Sequence, residues 1–169
     1  MDFSLQPLLE TEEYSLVPLE ESDFEKVYEA ASDPKVWEQH PNKDRYKREV
    51  FEVFFKGAIE SKGAYKIIKK STLEIVGSTR FYKNENRYFI GYTFYGTQYW
   101  GQGINSQVKK IMLDYLFQYI DTVHFHVGVV NIRSQKALEK LGAEIIATVE
   151  MAYFGEETRS NYLYQIIKY

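Results

Sequence analysis

The sequence predicts an α/β fold, with helices on both faces of a mixed, mainly antiparallel sheet of six to seven strands. Seven short segments are rich in β-branched and aromatic residues, a composition typical of strands. Four others repeat apolar residues at spacings of three and four, which indicates amphipathic helices. At 169 residues, we expect one domain over residues 1–169.

The chain begins with a strand and a short helix. Residues 1–13 are mixed in character and are expected to be loosely ordered, and residues 14–19 read as the first strand. Ser22-Asp-Phe-Glu25 is a capping-box pattern that predicts a helix start. That helix should end before Pro34, because the residue preceding a proline disfavours the α region.

A second helix is predicted after an irregular segment at residues 36–41. It should span about residues 46–61, with Gly63 as its terminator. The residues expected on its apolar face are Val50, Phe54 and Ala58. Residues 64–69, 75–82 and 88–95 then read as an antiparallel meander, because short polar turns separate them.

A glycine-containing turn connects the third strand of this meander to a long helix. The turn reads Gln98-Tyr-Trp-Gly-Gln-Gly103, and apolar residues recur at helical spacing after it. Those residues are Ile104, Val108, Ile111, Met112, Tyr115 and Tyr119. The first N–H groups of a helix lack internal partners and carry partial positive charge. Since Gly101 and Gly103 have no Cβ, a ligand can approach the backbone of the turn closely. The turn therefore suits a phosphate group.

The C-terminal part predicts a strand, a short helix and a closing hairpin. The strand covers residues 123–130, and the helix runs from Asn131 as N-cap to a stop at Gly142. Residues 144–153 and 159–168 form the two strands of the hairpin.

Composition excludes several classes of function. There is no cysteine, so disulfides, thiolate catalysis and cysteine metal sites are excluded, and the three histidines make a poor case for any metal. A net charge of −3 gives no support for nucleic-acid binding. No apolar run reaches membrane-spanning length, and the N-terminus lacks a basic secretory pattern. We therefore expect a cytoplasmic protein without a membrane or nucleic-acid partner.

The glycine turn fits neither of two common phosphate-binding motifs. The sequence contains no G-x-x-x-x-G-K-[ST] and no G-x-G-x-x-G, so a Walker-type loop and a Rossmann opening are excluded. The remaining pattern, Q-x-x-G-x-G, resembles the coenzyme A (CoA) loop of the GNAT superfamily of N-acyltransferases. Taken alone, a tight turn that needs positive φ would explain the two glycines equally well.

Further motifs extend this resemblance over residues 10–168. They are Ile75-Val-Gly-Ser-Thr-Arg-Phe81, Ile90-Gly-Tyr-Thr-Phe94, Tyr99-Trp-Gly-Gln-Gly-Ile-Asn105 and Asn131-Ile-Arg-Ser-Gln-Lys-Ala-Leu-Glu-Lys-Leu-Gly-Ala143. The series is similar to the branch containing the ribosomal-protein N-terminal acetyltransferases. It implies the GNAT fold, in which the sheet splays near its centre, and acetyl-CoA as cosubstrate.

The resemblance also implies which residues contact CoA. Tyr92, Thr93 and Phe94 would pair with the pantetheine arm through their backbone. The turn and the start of the helix would hold the pyrophosphate with Gln98, Trp100, Gly101, Gln102, Gly103, Ile104 and Asn105. Packing is the favoured alternative for Trp100.

Asn131 and Ser134 have a structural and a functional interpretation. Asn131 would cap its helix and also bind the pantetheine amide, and Ser134 would act as catalytic residue by protonating the departing thiolate. A capping contact alone is the alternative for Ser134. Trp37, His40 and Tyr92 are the candidates for the acceptor pocket.

A general base is not evident. Relatives often carry Glu where this chain has Phe89 and Gln107, so the neutral amine would form through solvent. Glu85 and Glu150 are alternative bases, although exposed carboxylates explain them as well.

The predicted activity is transfer of an acetyl group from acetyl-CoA to a primary amine by direct attack. The acceptor could be a protein N-terminus, an amino acid, a polyamine or an aminoglycoside, and a homodimer is an option. A CoA-binding sensor without turnover and a scaffold that binds other proteins are the competing interpretations.

Overall fold

The computed structural model describes residues 2–168. It contains one eight-stranded sheet in the order β1-β2-β3-β4-β5-β6-β8-β7. The strands are β1 (Leu9–Glu10), β2 (Tyr14–Pro18), β3 (Ala64–Lys69), β4 (Ile75–Asn84), β5 (Arg87–Tyr95), β6 (Thr122–Gly128), β7 (Glu144–Ala152) and β8 (Thr158–Ile167). The α-helices are α1 (Phe24–Ala31), α2 (Arg48–Ser61), α3 (Ile104–Leu116) and α4 (Ile132–Lys140). Only the β5–β6 pair is parallel among the described strands.

The predicted mixed sheet with helices on both faces is confirmed, with one strand more than expected. The additional strand is β1, which lies in the segment predicted to be loosely ordered and pairs with β2. Two residues are too few to show a hydrophobic period, so the sequence pattern could not reveal this strand. No helix within residues 2–168 combines the length and apolarity needed to cross a bilayer.

Each face of the sheet buries its own core. On one face, Val27 of α1 and Phe51 of α2 pack in a cluster with Phe94 of β5. On the other face, Val108 of α3 lies in a cluster with Ile90 of the same strand. In a regular strand Ile90 and Phe94 would share a face, but one extra residue is inserted between them, so β5 contributes to both cores and is buried between two helical layers.

Helix α2 ends differently from the prediction. It begins at Arg48, and its last turn closes on Lys62, which has a left-handed backbone with φ of 53°. Gly63 has another role, because a Cβ there would lie 1.9 Å from the carbonyl oxygen of Phe81. The apolar face also differs: Val50 is only half-buried, and the buried side chains are Phe51, Phe54, Phe55 and Ala58.

A β-bulge distorts β5 in the middle of the sheet. Ser78 lies opposite Phe94 and Arg80 opposite Gly91, so β5 uses three steps where β4 uses two. Tyr92 takes up the extra residue with φ of 55°, a left-handed conformation that is uncommon for an aromatic residue. Bulges of this kind are frequent beside functional sites, because they redirect side chains.

Strands β5 and β6 separate immediately after they meet. Their only bridge joins Phe89 to His124. Beyond it, residues 90–95 and 125–128 line opposite walls of a cavity. The sheet is thus splayed at its centre, next to the bulge.

Candidate active site

The cavity between the two strands has a volume of about 790 Å³. Its walls come from β5 and β6, the start of α3, much of α4 and parts of the segment 36–45 before α2. This volume suits a small-molecule ligand. The strand–turn–helix order predicted around Gln98–Gly103 lies directly at its rim.

The glycine turn presents free backbone donors. Gly101 and Gly103 have φ of 77° and 73°, and a Cβ at either would point into open space. The backbone N–H groups of residues 101–106 donate no hydrogen bond to any described residue. Free N–H groups at the start of α3 form an anion-binding cradle, since the helix dipole has its positive end there. The turn therefore fits a phosphate or pyrophosphate.

The other predicted residues of the turn divide into two groups. Ile104 and Asn105 line the cavity, and the Asn105 Oδ1 accepts a 3.0 Å hydrogen bond from the Tyr95 hydroxyl. Gln98 and Gln102 are exposed outside it, where the Gln102 amide donates to the Gln98 carbonyl. Their side chains do not face the cavity, which leaves only their backbone for the predicted role.

Trp100 is 40% exposed and lines the cavity, contrary to the favoured packing interpretation. Its indole N–H donates to the Tyr95 carbonyl at 3.0 Å. The Arg133 guanidinium carbon lies 4.1 Å from the centre of its ring, within the range of a cation–π contact. The pair forms one side of the rim beside the glycine turn.

The predicted strand residues Tyr92, Thr93 and Phe94 all line the cavity. The Thr93 hydroxyl oxygen accepts a 2.7 Å hydrogen bond from the Lys109 ammonium of α3. It also lies 2.9 Å from the Thr79 hydroxyl oxygen. These contacts tie α3 to the bulge at the centre of the sheet.

Lys109 is a buried cation without a carboxylate partner. Its residue is 5% exposed, and burial alone lowers its pKa to about 7. No described acidic group contributes to that shift. A lysine in such surroundings reduces folding stability whenever it is protonated, because desolvation disfavours the charged form.

Replacing Lys109 with methionine should therefore raise the melting temperature of the unliganded protein by several degrees at pH 6. Below pH 7, lysine is protonated in both the folded and the unfolded chain, and the cost of burying the charge is complete. Between pH 7 and about 10.4, the unfolded chain binds more protons, so wild-type stability rises and the difference shrinks. Differential scanning calorimetry of both proteins from pH 6 to pH 10 measures this difference in melting temperature.

Lys110→Met is the matched control, because Lys110 is exposed and pairs with Asp114 on the same helix. Surface pairs of this kind contribute little, so its melting temperature should stay close to wild type. If the difference in melting temperature between Lys109→Met and wild type does not change with pH, Lys109 titrates normally in the folded protein.

The predicted residues of α4 lie together on the cavity wall. Asn131 is 4% exposed, and its side-chain oxygen accepts from the Ser134 backbone N–H at 3.3 Å, which confirms the predicted N-cap. The Ser134 hydroxyl makes no hydrogen bond to a described residue and lines the cavity. It is therefore available to a ligand.

The three acceptor candidates are placed differently. Tyr92 and His40 line the cavity. Trp37 is 0% exposed, packs in the core and donates its indole N–H to the Ala31 carbonyl at 2.8 Å. Trp37 lies behind His40, which lines the cavity and packs edge-on against the Trp37 ring with 4.8 Å between ring centres.

Four residues of this region escaped the sequence prediction of the site. Arg45, His126 and Tyr153 line the cavity, and the Tyr82 hydroxyl lies 2.9 Å from Nδ1 of His126. Burial, with smaller contributions from His124 and Arg87, lowers the pKa of His126 to about 4. His126 is thus neutral at pH 7. The only sequence pattern that could have indicated His126 as a site residue was its spacing of two from His124, which puts both side chains on one face of the strand.

The positions considered for a general base lie outside the cavity. Phe89 is 2% exposed and stacks on the His126 ring, and Gln107 accepts a 3.3 Å hydrogen bond from Thr11. Glu85 lies in an exposed turn, and Glu150 accepts from Ser160 on the surface. No group of three or more metal-ligating side chains is arranged around an ion site in residues 2–168.

The chain is similar to a known protein family and to several solved structures. A family model described as "Acetyltransferase (GNAT) domain" matches residues 14–144. No curated protein matches the chain. Among solved structures, a GCN5-related N-acetyltransferase from Brucella melitensis has a TM-score of 0.78 at 15% identity, over 96% of this chain and 79% of that one.

Two further structures are similar along nearly their whole length. An acetyltransferase of the GNAT family from Bacillus anthracis has a TM-score of 0.71 at 21% identity, over 95% of this chain and 98% of that one. A ribosomal-protein-S5-alanine acetyltransferase from Vibrio fischeri has a TM-score of 0.67 at 16% identity, over 96% and 97% of the two chains. At these identities, the similarity establishes the shared fold.

Proposed function

The chain belongs to the GNAT acetyltransferase family and is an acyltransferase, and from that premise we propose that it moves an acetyl group from acetyl-CoA to a primary amine by direct attack. The observation that carries the proposal is the row of free N–H groups at residues 101–106, which opens into the cavity between β5 and β6. Release of free CoA on addition of an amine tests it.

Each wall of the cavity has a part in this reaction. The backbone of residues 101–106 would hold the pyrophosphate, and residues 92–94 with Asn131 would bind the pantetheine amides. His40, Tyr92 and Tyr153 form an aromatic part of the cavity wall. The amine would bind there, which brings two substrates together in one site.

The reaction requires a neutral amine and a protonated leaving group. The amine nitrogen forms a bond to the acetyl carbonyl carbon, and the bond from that carbon to sulfur breaks. The nitrogen gives up its proton to solvent, and the thiolate takes one, for which the free Ser134 hydroxyl is the candidate donor. A serine could then recover its proton from water.

The acceptor should control the pH dependence of the reaction. His126 has a pKa of about 4 and His40 of about 3, since burial strongly disfavours their charged forms. Both are neutral throughout the working range, and bases so weak are poorly matched to an ammonium ion. We therefore expect kcat/KM to rise with pH up to the pKa of the acceptor amine, measured with two amines of different pKa.

His126→Gln is the informative control for this profile, because glutamine can still pair with the Tyr82 hydroxyl. Its profile should keep the wild-type shape. A plateau from about pH 6 with both amines, lost in His126→Gln, would show that the imidazole removes the proton.

A CoA-binding sensor on the same fold is the second candidate function. It is favoured by one observation: no Asp or Glu of the described chain lines the cavity. Tight CoA binding without CoA release from acetyl-CoA, across amines of different charge and basicity, would favour the sensor.

A further inference from the structure

The cavity has basic side chains in its wall and no acidic one. Within residues 2–168, its basic lining consists of Arg45, Lys109, Arg133, Lys136 and Lys140. A polycationic amine that enters a partly dry site needs carboxylates to replace its water, because an unpaired buried charge is costly. The wall offers none, so polyamines and aminoglycosides fit it poorly.

Part of this positive charge is placed to serve CoA. Arg133, Lys136 and Lys140 follow one another at helical spacing along α4. Arg133 also stacks on Trp100 beside the glycine turn. These three cations suit phosphate groups. The charge near the acceptor therefore depends on other residues.

On the acceptor side, one arginine is neutralised and one is not. Arg45 is 2% exposed, and its Nε and Nη2 each lie 2.7 Å from a carboxylate oxygen of Glu156. Arg80 is 5% exposed, and its guanidinium carbon lies 3.7 Å from the centre of the Tyr92 ring. Its buried Nε has no hydrogen-bond partner, and no described carboxylate pairs with it.

The neighbouring histidines do not change this balance. Burial, followed by Arg45 and Arg133, lowers the pKa of His40, and His126 is neutral as described above. The charges of Arg45 and Glu156 cancel. Arg80 therefore leaves one positive charge behind Tyr92, which forms the cavity wall at this point. A buried cation of this kind favours an anion on the other side of that wall.

We propose that the acceptor is an amine with a carboxylate, or another anionic group, a few bonds from its reacting nitrogen, and that Arg80 is the residue that selects it. This inference rests on the proposed acetyl transfer. Arg80 acts through space, because Tyr92 lies between it and the cavity. The same field disfavours the ammonium form of the bound amine and so favours the neutral nucleophile.

Matched pairs of acceptors test the charge preference. Glycine is compared with glycinamide, and peptides with Asp as second residue are compared with the same peptides carrying Asn. The acid of each pair should have the higher kcat/KM, calculated on the concentration of neutral amine, by on the order of tenfold. Amidation of glycine makes the amine less basic, so calculation on the neutral amine removes the preference for the amide that ionisation alone would give. The two pairs also distinguish a free amino acid from a peptide N-terminus.

Variants of Arg80 separate charge from packing. Arg80→Met should bring the acid-to-amide ratio close to one, and Arg80→Lys should retain most of it. Arg159→Met is the control, since Arg159 is exposed beside Glu157 and should leave the ratio unchanged. Calorimetric titration with CoA and circular dichroism establish that each variant is folded. If Arg80→Met does not fold, the acid-to-amide ratios of the wild type and of Arg80→Lys still test the charge preference.

Two results would overturn the inference in distinguishable ways. Equal kcat/KM for acid and amide on the concentration of neutral amine, or spermidine as the best acceptor, would remove charge selection and leave acetyl transfer intact. A protein that binds CoA and acetylates no amine would remove acetyl transfer, and this inference with it.

Discussion

Replacement of Gly103 by glutamate is expected to weaken CoA binding by at least about 100-fold while the fold is retained. Gly103 has φ of 73°, where a non-glycine residue costs about 1–2 kcal/mol. The new carboxylate also lies at the free N–H groups that start α3 and repels a pyrophosphate there. The backbone cost lowers folding stability, whereas the loss of affinity comes from this repulsion, and 100-fold corresponds to about 2.8 kcal/mol. Isothermal titration with CoA measures it.

Gly142→Glu provides a matched control for this variant. Gly142 has φ of 90°, and a Cβ there also meets open space, but the residue lies outside the cavity lining. It should lose stability to a similar extent and keep its CoA affinity. Gly103→Ala separates the backbone term from the charge, with a loss that is smaller by about tenfold or more. Unchanged affinity in Gly103→Glu would show that CoA does not bind at this turn.

Ser134→Ala is expected to lower kcat by about 10²–10⁴-fold, the range of a positioned acid–base group. Its hydroxyl lines the cavity and has no protein partner among the described residues, so its removal leaves no buried group unsatisfied. The N-cap contact of Asn131 is retained, because it uses the Ser134 backbone N–H. The affinity for CoA should therefore change far less than kcat, as measured by steady-state kinetics beside calorimetry.

Ser134→Thr keeps a hydroxyl and should recover part of the activity that Ser134→Ala loses. If the alanine variant turns over at the wild-type rate, Ser134 has only a structural place in the first turn of α4. A fall in CoA affinity equal to the fall in kcat/KM would instead assign the hydroxyl to binding.

Local sequence patterns predicted the elements that build the cavity wall around the glycine turn and α4. The glycines at 101 and 103 have the positive φ that their turn requires, and Asn131 caps α4 as its position before the helix suggested. Such features depend on a few neighbouring residues, so they can be read from the chain. The strand and helix order around them followed from hydrophobic period.

Features that depend on contacts between distant segments could not be predicted in this way. The bulge at Tyr92 is visible only when β4 and β5 are paired, and the ion pair of Arg45 with Glu156 joins positions far apart in the chain. Trp37 was expected in the pocket, since an aromatic residue suits a binding site as well as a core. The fold decided between the two by burying it behind His40.

The separation of β5 from β6 leaves two strand edges inside the sheet instead of at its margin. Residues 90–95 and 125–128 do not pair with each other. Open strand edges normally invite a strand from another chain, which is a route to aggregation. Here the start of α3, the wall of α4 and the bulge at Tyr92 enclose both edges. An extended chain with amide groups can pair with such edges through its backbone, as an added strand does. The cleft thus presents unpaired main-chain donors and acceptors to an extended ligand, independently of any side chain.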